Sequence, residues 1–176
     1  ALALAARGIV KGDRVGIGMR NCPAWVVAYM AIVKAGGVAT LLNGWWQPAE
    51  LDHAVRLVDP KLILADAPRA KRIEAIGAGF VQVVLPVEQP LEGALGPLLA
   101  GSADGAALPE VSPDDEATIL FTSGSTGEAK GALSTHRAVT TGVYTYATGL
   151  MVLLGLVEQE YRAPTTKRTL INVPLF

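Results

Sequence analysis

The run from Thr118 to Gly131, Thr-Ile-Leu-Phe-Thr-Ser-Gly-Ser-Thr-Gly-Glu-Ala-Lys-Gly, constrains this chain more than any other stretch. Residues 117–121 are apolar enough to predict a buried strand. That strand passes directly into small hydroxyl residues and glycines, closed by Lys130. Glycine lets a backbone turn tightly and approach a ligand, because it carries no Cβ. Successive backbone N–H groups in such a turn form a concavity for anions. The Ser and Thr hydroxyls add donors, and Lys130 adds a point charge. A loose Ser/Gly cluster is ordinarily a solvated linker, but an ordered series placed straight after an apolar strand predicts a polyphosphate-binding loop. Two common phosphate loops do not match. Counting from Gly124, the Walker pattern needs glycine where Ala129 stands and a hydroxyl residue where Gly131 stands. The dinucleotide pattern G-x-G-x-x-G fails because the glycines fall at 124, 127 and 131.

Composition limits the remaining choices. The chain has 176 residues, 51% apolar, with a formal net charge of −1. This is enough for a domain with its own core. The charge balance argues against a nucleic-acid binder and the apolar content against a disordered tail, and no Lys/Arg run is dense enough to track phosphodiesters. The single cysteine, Cys22, excludes an intramolecular disulfide and points to a reducing, cytoplasmic setting. It reads as a small packed side chain rather than a nucleophile. Residues 1–6 are apolar but lack a preceding basic region, so they do not make a signal peptide. No apolar run reaches the roughly 20 residues that a membrane-spanning helix needs.

Along the chain, Lys11–Arg14 is a turn and 15–19 a short buried strand. Asn21 and Pro23 are helix-start signals, followed by an almost wholly apolar helix over 25–35, ended by Gly36-Gly37. The pattern continues with a strand at 38–42, a turn at Asn43-Gly44 and a helix from Pro48 to Asp59. In that helix Asp52 and Arg56 make an i,i+4 pair. A strand at 62–64, a helix at 68–76 and a strand at 80–85 follow. Strands alternating with helices predict an α/β domain with a largely parallel sheet. Residues 86–113, rich in Pro, Gly, Ala and Glu, read as a surface connection with one helical turn near 95–99. Beyond the loop come an extended piece at 132–134, a helix from about 135 to 154, a polar loop at 158–168 and a strand at 169–176. Three regions result: a first α/β subregion at 1–85, a connection at 86–116 and a phosphate-loop subregion at 117–176.

The loop resembles the signature of the adenylate-forming, AMP-binding superfamily: acyl-CoA synthetases, luciferases and the adenylation domains of peptide synthetases. Every specified position from Ile119 to Gly131 agrees except Ala129, where proline is usual. Without a proline fixing φ near −65°, this part of the loop is expected to be looser. Gly12-Asp13-Arg14-Val15, Asn21 to Trp25, Ala31 to Val38, Leu42-Asn43, the 48–59 helix, Thr135-His136 and Asn172 to Phe176 also resemble acyl-CoA synthetases. The resemblance is diffuse before residue 112 and sharp from 117 to 136. It implies an α/β fold forming part of the large layered N-terminal domain of acyl-CoA synthetase-like adenylating enzymes, truncated here.

It also implies chemistry. Family members activate a carboxylic acid with ATP, releasing pyrophosphate as the acyl-adenylate forms; synthetases then pass the acyl group to CoA. By resemblance, Thr122, Ser123, Gly124, Ser125, Thr126 and Gly127 cradle the β- and γ-phosphates, Lys130 supplies positive charge, and Thr122 is a candidate contact to Mg²⁺. His136 is a candidate for orienting substrate, although a histidine at a helix start more often caps or packs. The expected small molecules are ATP, CoA and a carboxylic acid, most simply a fatty acid. Nucleic acid is not expected as a partner, and a homo-oligomer is compatible with this reading. The later family motifs are not in this sequence, among them the Tyr-Gly-x-Thr-Glu segment, the ribose-binding aspartate, the hinge and the C-terminal lysine. The expectation is that these residues alone do not turn over and that they expose apolar surface. Trp45-Trp46 is expected in a core or interface, Asp114-Asp115-Glu116 in a solvated turn, and His53 at the surface. Two other readings stand beside the synthetase: an adenylation domain that loads a carrier protein, and a nucleotide-binding module without catalysis. A kinase-like phosphotransferase is disfavoured by the failed Walker match.

Overall fold

The structure is a computed structural model of the chain, and it describes residues 1–77, 79–123 and 129–156. The expected loop at 158–168 and strand at 169–176 lie outside the described residues, as do Gly124, Ser125, Thr126, Gly127 and Glu128.

Six strands form one sheet: β1 (Arg14–Gly18), β2 (Val38–Leu41), β3 (Leu62–Ala65), β4 (Gln82–Val84), β5 (Glu116–Ser123) and β6 (Ala129–Thr135), in the order β4-β3-β1-β2-β5-β6. The first four pairings are parallel, and β5–β6 is antiparallel. The helices are α1 (Leu2–Ala6), α2 (Pro23–Lys34), α3 (Pro48–Val58), α4 (Ala67–Ala75), α5 (Leu91–Leu99) and α6 (His136–Leu156).

Strand alternation divides the core. Val15, Ile17, Leu41 and Leu64 face a cluster completed by α1, α2 and α5, whereas Leu42, Ile63 and Ala65 face α3 and α4. Both faces of the parallel part are therefore covered, which explains strands that read as continuous apolar runs. Local signals set the helix starts. Pro23, Pro48 and Pro68 each stand in a first turn. Gln47 and Glu50 make a reciprocal capping box on α3. The N-cap of α2 falls on Cys22, one residue past Asn21.

The connection at 86–113 departs from expectation. It holds a helix of nine residues, α5, whose Ala94 and Leu98 are buried against α2 and α1. Gly93, Gly96 and Pro97 hide that helix by propensity, and tertiary burial overrides them. Arg7 Nη2 donates to the carbonyls of Pro97 and Ala100 at 3.0 Å each, satisfying the helix end.

Candidate phosphate-loop site

β5 is longer than the apolar run suggested. It continues through Thr122 and Ser123 because β6 pairs with it in register: Thr122 opposite Lys130 and Ser123 opposite Ala129. Composition marks these positions as loop, but the ladder satisfies their backbone groups. Lys130 thus sits on a strand, β6, paired antiparallel with β5.

Strand alternation puts Thr118, Leu120 and Thr122 on the α2 face of the sheet. Tyr29 on α2 confirms this by meeting Thr118 Oγ1 at 2.7 Å. Lys130, opposite Thr122, shares that face. Leu120 is 42% exposed, so the sheet is open here, next to Thr122 and Lys130. The Thr122 hydroxyl donates to the Lys130 carbonyl at 3.5 Å. Among the described residues Lys130 makes no ion pair. Thr122 and Lys130, both exposed, are therefore cross-strand neighbours where parallel β5 reaches its carboxyl end. Open α/β sheets bind ligands at that edge.

His136 lies elsewhere. Thr135 pairs with Glu116 at the opposite end of the hairpin, and six residues of strand put His136 about 20 Å from Lys130. Thr135 caps α6, its Oγ1 accepting from Ala138 N at 3.2 Å. His136 N donates to Asp115 O at 3.0 Å, while its Nε2 is buried with no partner among the described residues. A cleft of about 430 Å³ opens beside it, lined in part by Pro113, Thr140 and Tyr144.

The acidic turn is solvent-exposed as expected, the Asp114 side chain at 73%, but its two aspartates are paired. Arg137 holds Asp114 with two bonds, at 2.8 and 3.0 Å, and pulls its carboxyl below the usual carboxylate range. Lys11 pairs with Asp115 at 2.6 Å, and this bond, with a second from Ser112 N, lowers the Asp115 carboxyl in the same way.

Two more expectations change. His53 is half-buried rather than on the surface, and its Nε2 lies 3.2 Å from the Ala129 carbonyl. The tryptophans divide: Trp45 is 71% exposed, whereas Trp46 packs edge-on against Phe121 at 5.0 Å. Arg72 donates to the Gly44 and Trp46 carbonyls and so fixes the turn before α3. The sequence contains no signal for these contacts, because the partners are far apart along the chain.

A sequence profile described as "AMP-binding enzyme" matches residues 1–176. The chain belongs to the AMP-binding enzyme family. It is 37% identical over 139 residues to the medium/long-chain-fatty-acid–CoA ligase FadD6 of Mycobacterium tuberculosis, covering 77% of this chain and 23% of that protein. It is 33% identical over 143 residues to the nonribosomal peptide synthetase flvI of Aspergillus flavus, covering 81% of this chain and 12% of that protein. ATP-bound MatB from Rhodopseudomonas palustris superposes with a TM-score of 0.63 at 35% identity, over 77% of this chain and 27% of that one. The chain therefore spans about a quarter or less of these relatives' lengths, and its layered α/β sheet is part of the N-terminal domain of acyl-CoA synthetase-like enzymes. No described helix is long and apolar enough to cross a membrane.

Proposed function

We propose that this AMP-binding enzyme chain is the phosphate-loop part of an ATP-dependent acyl-CoA synthetase. The enzyme activates a carboxylic acid, most simply a fatty acid, as its acyl-adenylate with release of pyrophosphate, and then transfers the acyl group to CoA. The observation that carries this reading is Thr122 and Lys130 as exposed cross-strand neighbours at the carboxyl end of β5. Negative charge builds on the departing pyrophosphate, and a fixed ammonium with hydroxyl and backbone donors stabilises it. Thr122, Ser123, Gly124, Ser125, Thr126 and Gly127 would cradle the β- and γ-phosphates, and Lys130 would neutralise them.

Mg²⁺ fits this site only together with ATP. Thr122 offers one neutral oxygen, and the described residues contain no group of three His, Cys, Asp or Glu able to hold a metal. A small hard cation seeks six oxygens, and phosphates and water supply most of them. Substrate orientation by His136 would act through the cleft at its side, remote from Lys130.

The likeness to a peptide synthetase favours one other reading, an adenylation domain that loads a carrier protein. The deciding experiment is carboxylate-dependent ATP–pyrophosphate exchange by the full-length protein, across short, long and aromatic acids and amino acids. Exchange with fatty acids is expected, falling about 10²–10³-fold in Lys130→Ala. Exchange with amino acids alone supports the carrier-loading reading. ATP binding without exchange with any acid would overturn both readings in favour of a non-catalytic module.

A further inference from the structure

The hairpin that carries Lys130 is gripped at its loop end from the α3 side. His53 Nε2 stands 3.2 Å from the Ala129 carbonyl, across 76 residues of sequence. A carbonyl can only accept, so Nε2 carries the proton and donates. Trp46 presses edge-on against Phe121 at 5.0 Å, and Phe121 pairs with Gly131. Gly131 is approached closely on this face, although a cleft of about 330 Å³ opens farther along it beside Leu133 and Val58. A Cβ at Gly131 would lie 3.0 Å from Ile119 Cγ2. The gripping element is itself packed into the core: Ala54 and Val55, the neighbours of His53 on α3, are fully buried.

The hairpin needs such a grip. β6 is the edge strand of the described sheet, held by β5 on one side. Residue 129, the first of the return strand, is an alanine and lacks the ring that would set its φ. Lys130 follows directly, so any rotation of the Ala129 peptide shifts the backbone from which the Lys130 side chain extends.

We propose that His53 is a positioning residue for Lys130: its N–H bond to the Ala129 carbonyl fixes the return strand and so the place of the ammonium against the phosphates of ATP. This inference rests on the phosphate-binding role given to Lys130 above. Charge stabilisation depends on sub-ångström placement, and a misplacement of 1 Å can cost about 100-fold. Both the neutral Nε2–H tautomer and the protonated ring can donate, so the contact does not depend on the ring's charge.

The test uses the full-length protein and four variants: His53→Phe, His53→Gln, Lys130→Ala and His53→Phe/Lys130→Ala. Phe fills the space without donating, and Gln offers an amide N–H near the position of Nε2. The readouts are ATP affinity and ATP–pyrophosphate exchange with decanoate, benzoate and leucine as probes. His53→Phe is expected to lose about 10–100-fold, His53→Gln to regain most of it, and His53→Phe to add nothing once Lys130 is gone. A structural role alone would give equal losses with and without Lys130, and that result overturns the proposal. So does a His53→Phe enzyme of undiminished exchange and ATP affinity. If Lys130→Ala changes neither readout, the phosphate-binding reading itself falls, and the role of His53 falls with it. Loss in Lys130→Ala with none in His53→Phe removes only the inference about His53.

Discussion

The Tyr29 hydroxyl and Thr118 Oγ1 lie 2.7 Å apart, joining α2 to β5 across 89 residues of sequence. Thr118 is 8% exposed, so water cannot readily replace the lost partner. Tyr29→Phe is expected to lower unfolding free energy by about 1–2 kcal/mol. Adding Thr118→Val should recover part of the loss, because no buried polar atom is then left unpaired. Urea unfolding midpoints of the two single variants and the double variant decide this.

Asp66 is the most constrained charge in the fold. It is 1% exposed. Its Oδ1 accepts from Arg69 N at 3.1 Å, capping α4, and its Oδ2 accepts from Arg20 N at 2.9 Å and Arg69 Nη1 at 2.8 Å. Asp66→Ala removes the cap and leaves a guanidinium without its partner. The expected loss is about 3–5 kcal/mol, well beyond the ~1 kcal/mol of a cap alone. Chemical denaturation measures it. A loss of cap size would show that Arg69 finds another partner.

Gly36 follows α2 at φ +79°, and a Cβ there would lie 2.8 Å from Pro109 Cγ. Gly36→Ala combines a left-handed backbone with a clash, and should cost about 1–3 kcal/mol. Pro109→Ala relieves the clash but not the backbone strain. The double variant should therefore recover only part of the lost thermal stability.

Three carboxylates among the described residues are expected to contribute to the acid limb of the stability curve. Burial would raise the Asp13 carboxyl, but the bond from Lys61, the Val10 N–H and the charges of Lys61 and Arg14 together hold it below the usual carboxylate range. Asp114 and Asp115 are lowered by Arg137 and Lys11. A folded-state pKa below the unfolded one means the unfolded chain binds more protons, so stability rises with pH through this window. The contribution is complete above the unfolded value and is lost as pH falls through the lower folded values. Denaturant midpoints should be flat near neutrality and decline below about pH 4. Asp13→Asn should flatten that decline, and added salt should weaken it at these exposed pairs.

α6 displays apolar side chains to solvent: Tyr146 is 75%, Met151 73% and Leu156 77% exposed. Residues 1–176 alone are expected to self-associate through this helix. Sedimentation should show mass rising with concentration, and Met151→Lys with Leu156→Glu should reduce it. A monomer at all concentrations would refute the expectation.

The periodic parts of the fold were legible in the sequence. Pro23, Pro48 and Pro68 marked helix starts, and the apolar runs at 15–19, 38–42 and 62–64 marked buried strands. The Asp52–Arg56 pair stands at 2.7 Å as its i,i+4 spacing implied. What failed to show was context-dependent. α5 was masked by Gly and Pro, and the hydroxyl residues Thr122 and Ser123 looked like loop until β6 paired with them.

By itself the sequence determined the α/β alternation and the family, and it named the residues proposed to bind phosphate. Each depends on residue order within a short window, where backbone sterics and burial periodicity act. Only the tertiary structure decided the strand order, the covering of the sheet by α5, the separation of His136 from Lys130, and the meeting of His53 with the Ala129 carbonyl. Those relations join residues tens of positions apart. They are selected by which apolar faces can be buried together and which backbone groups remain to be satisfied once they are.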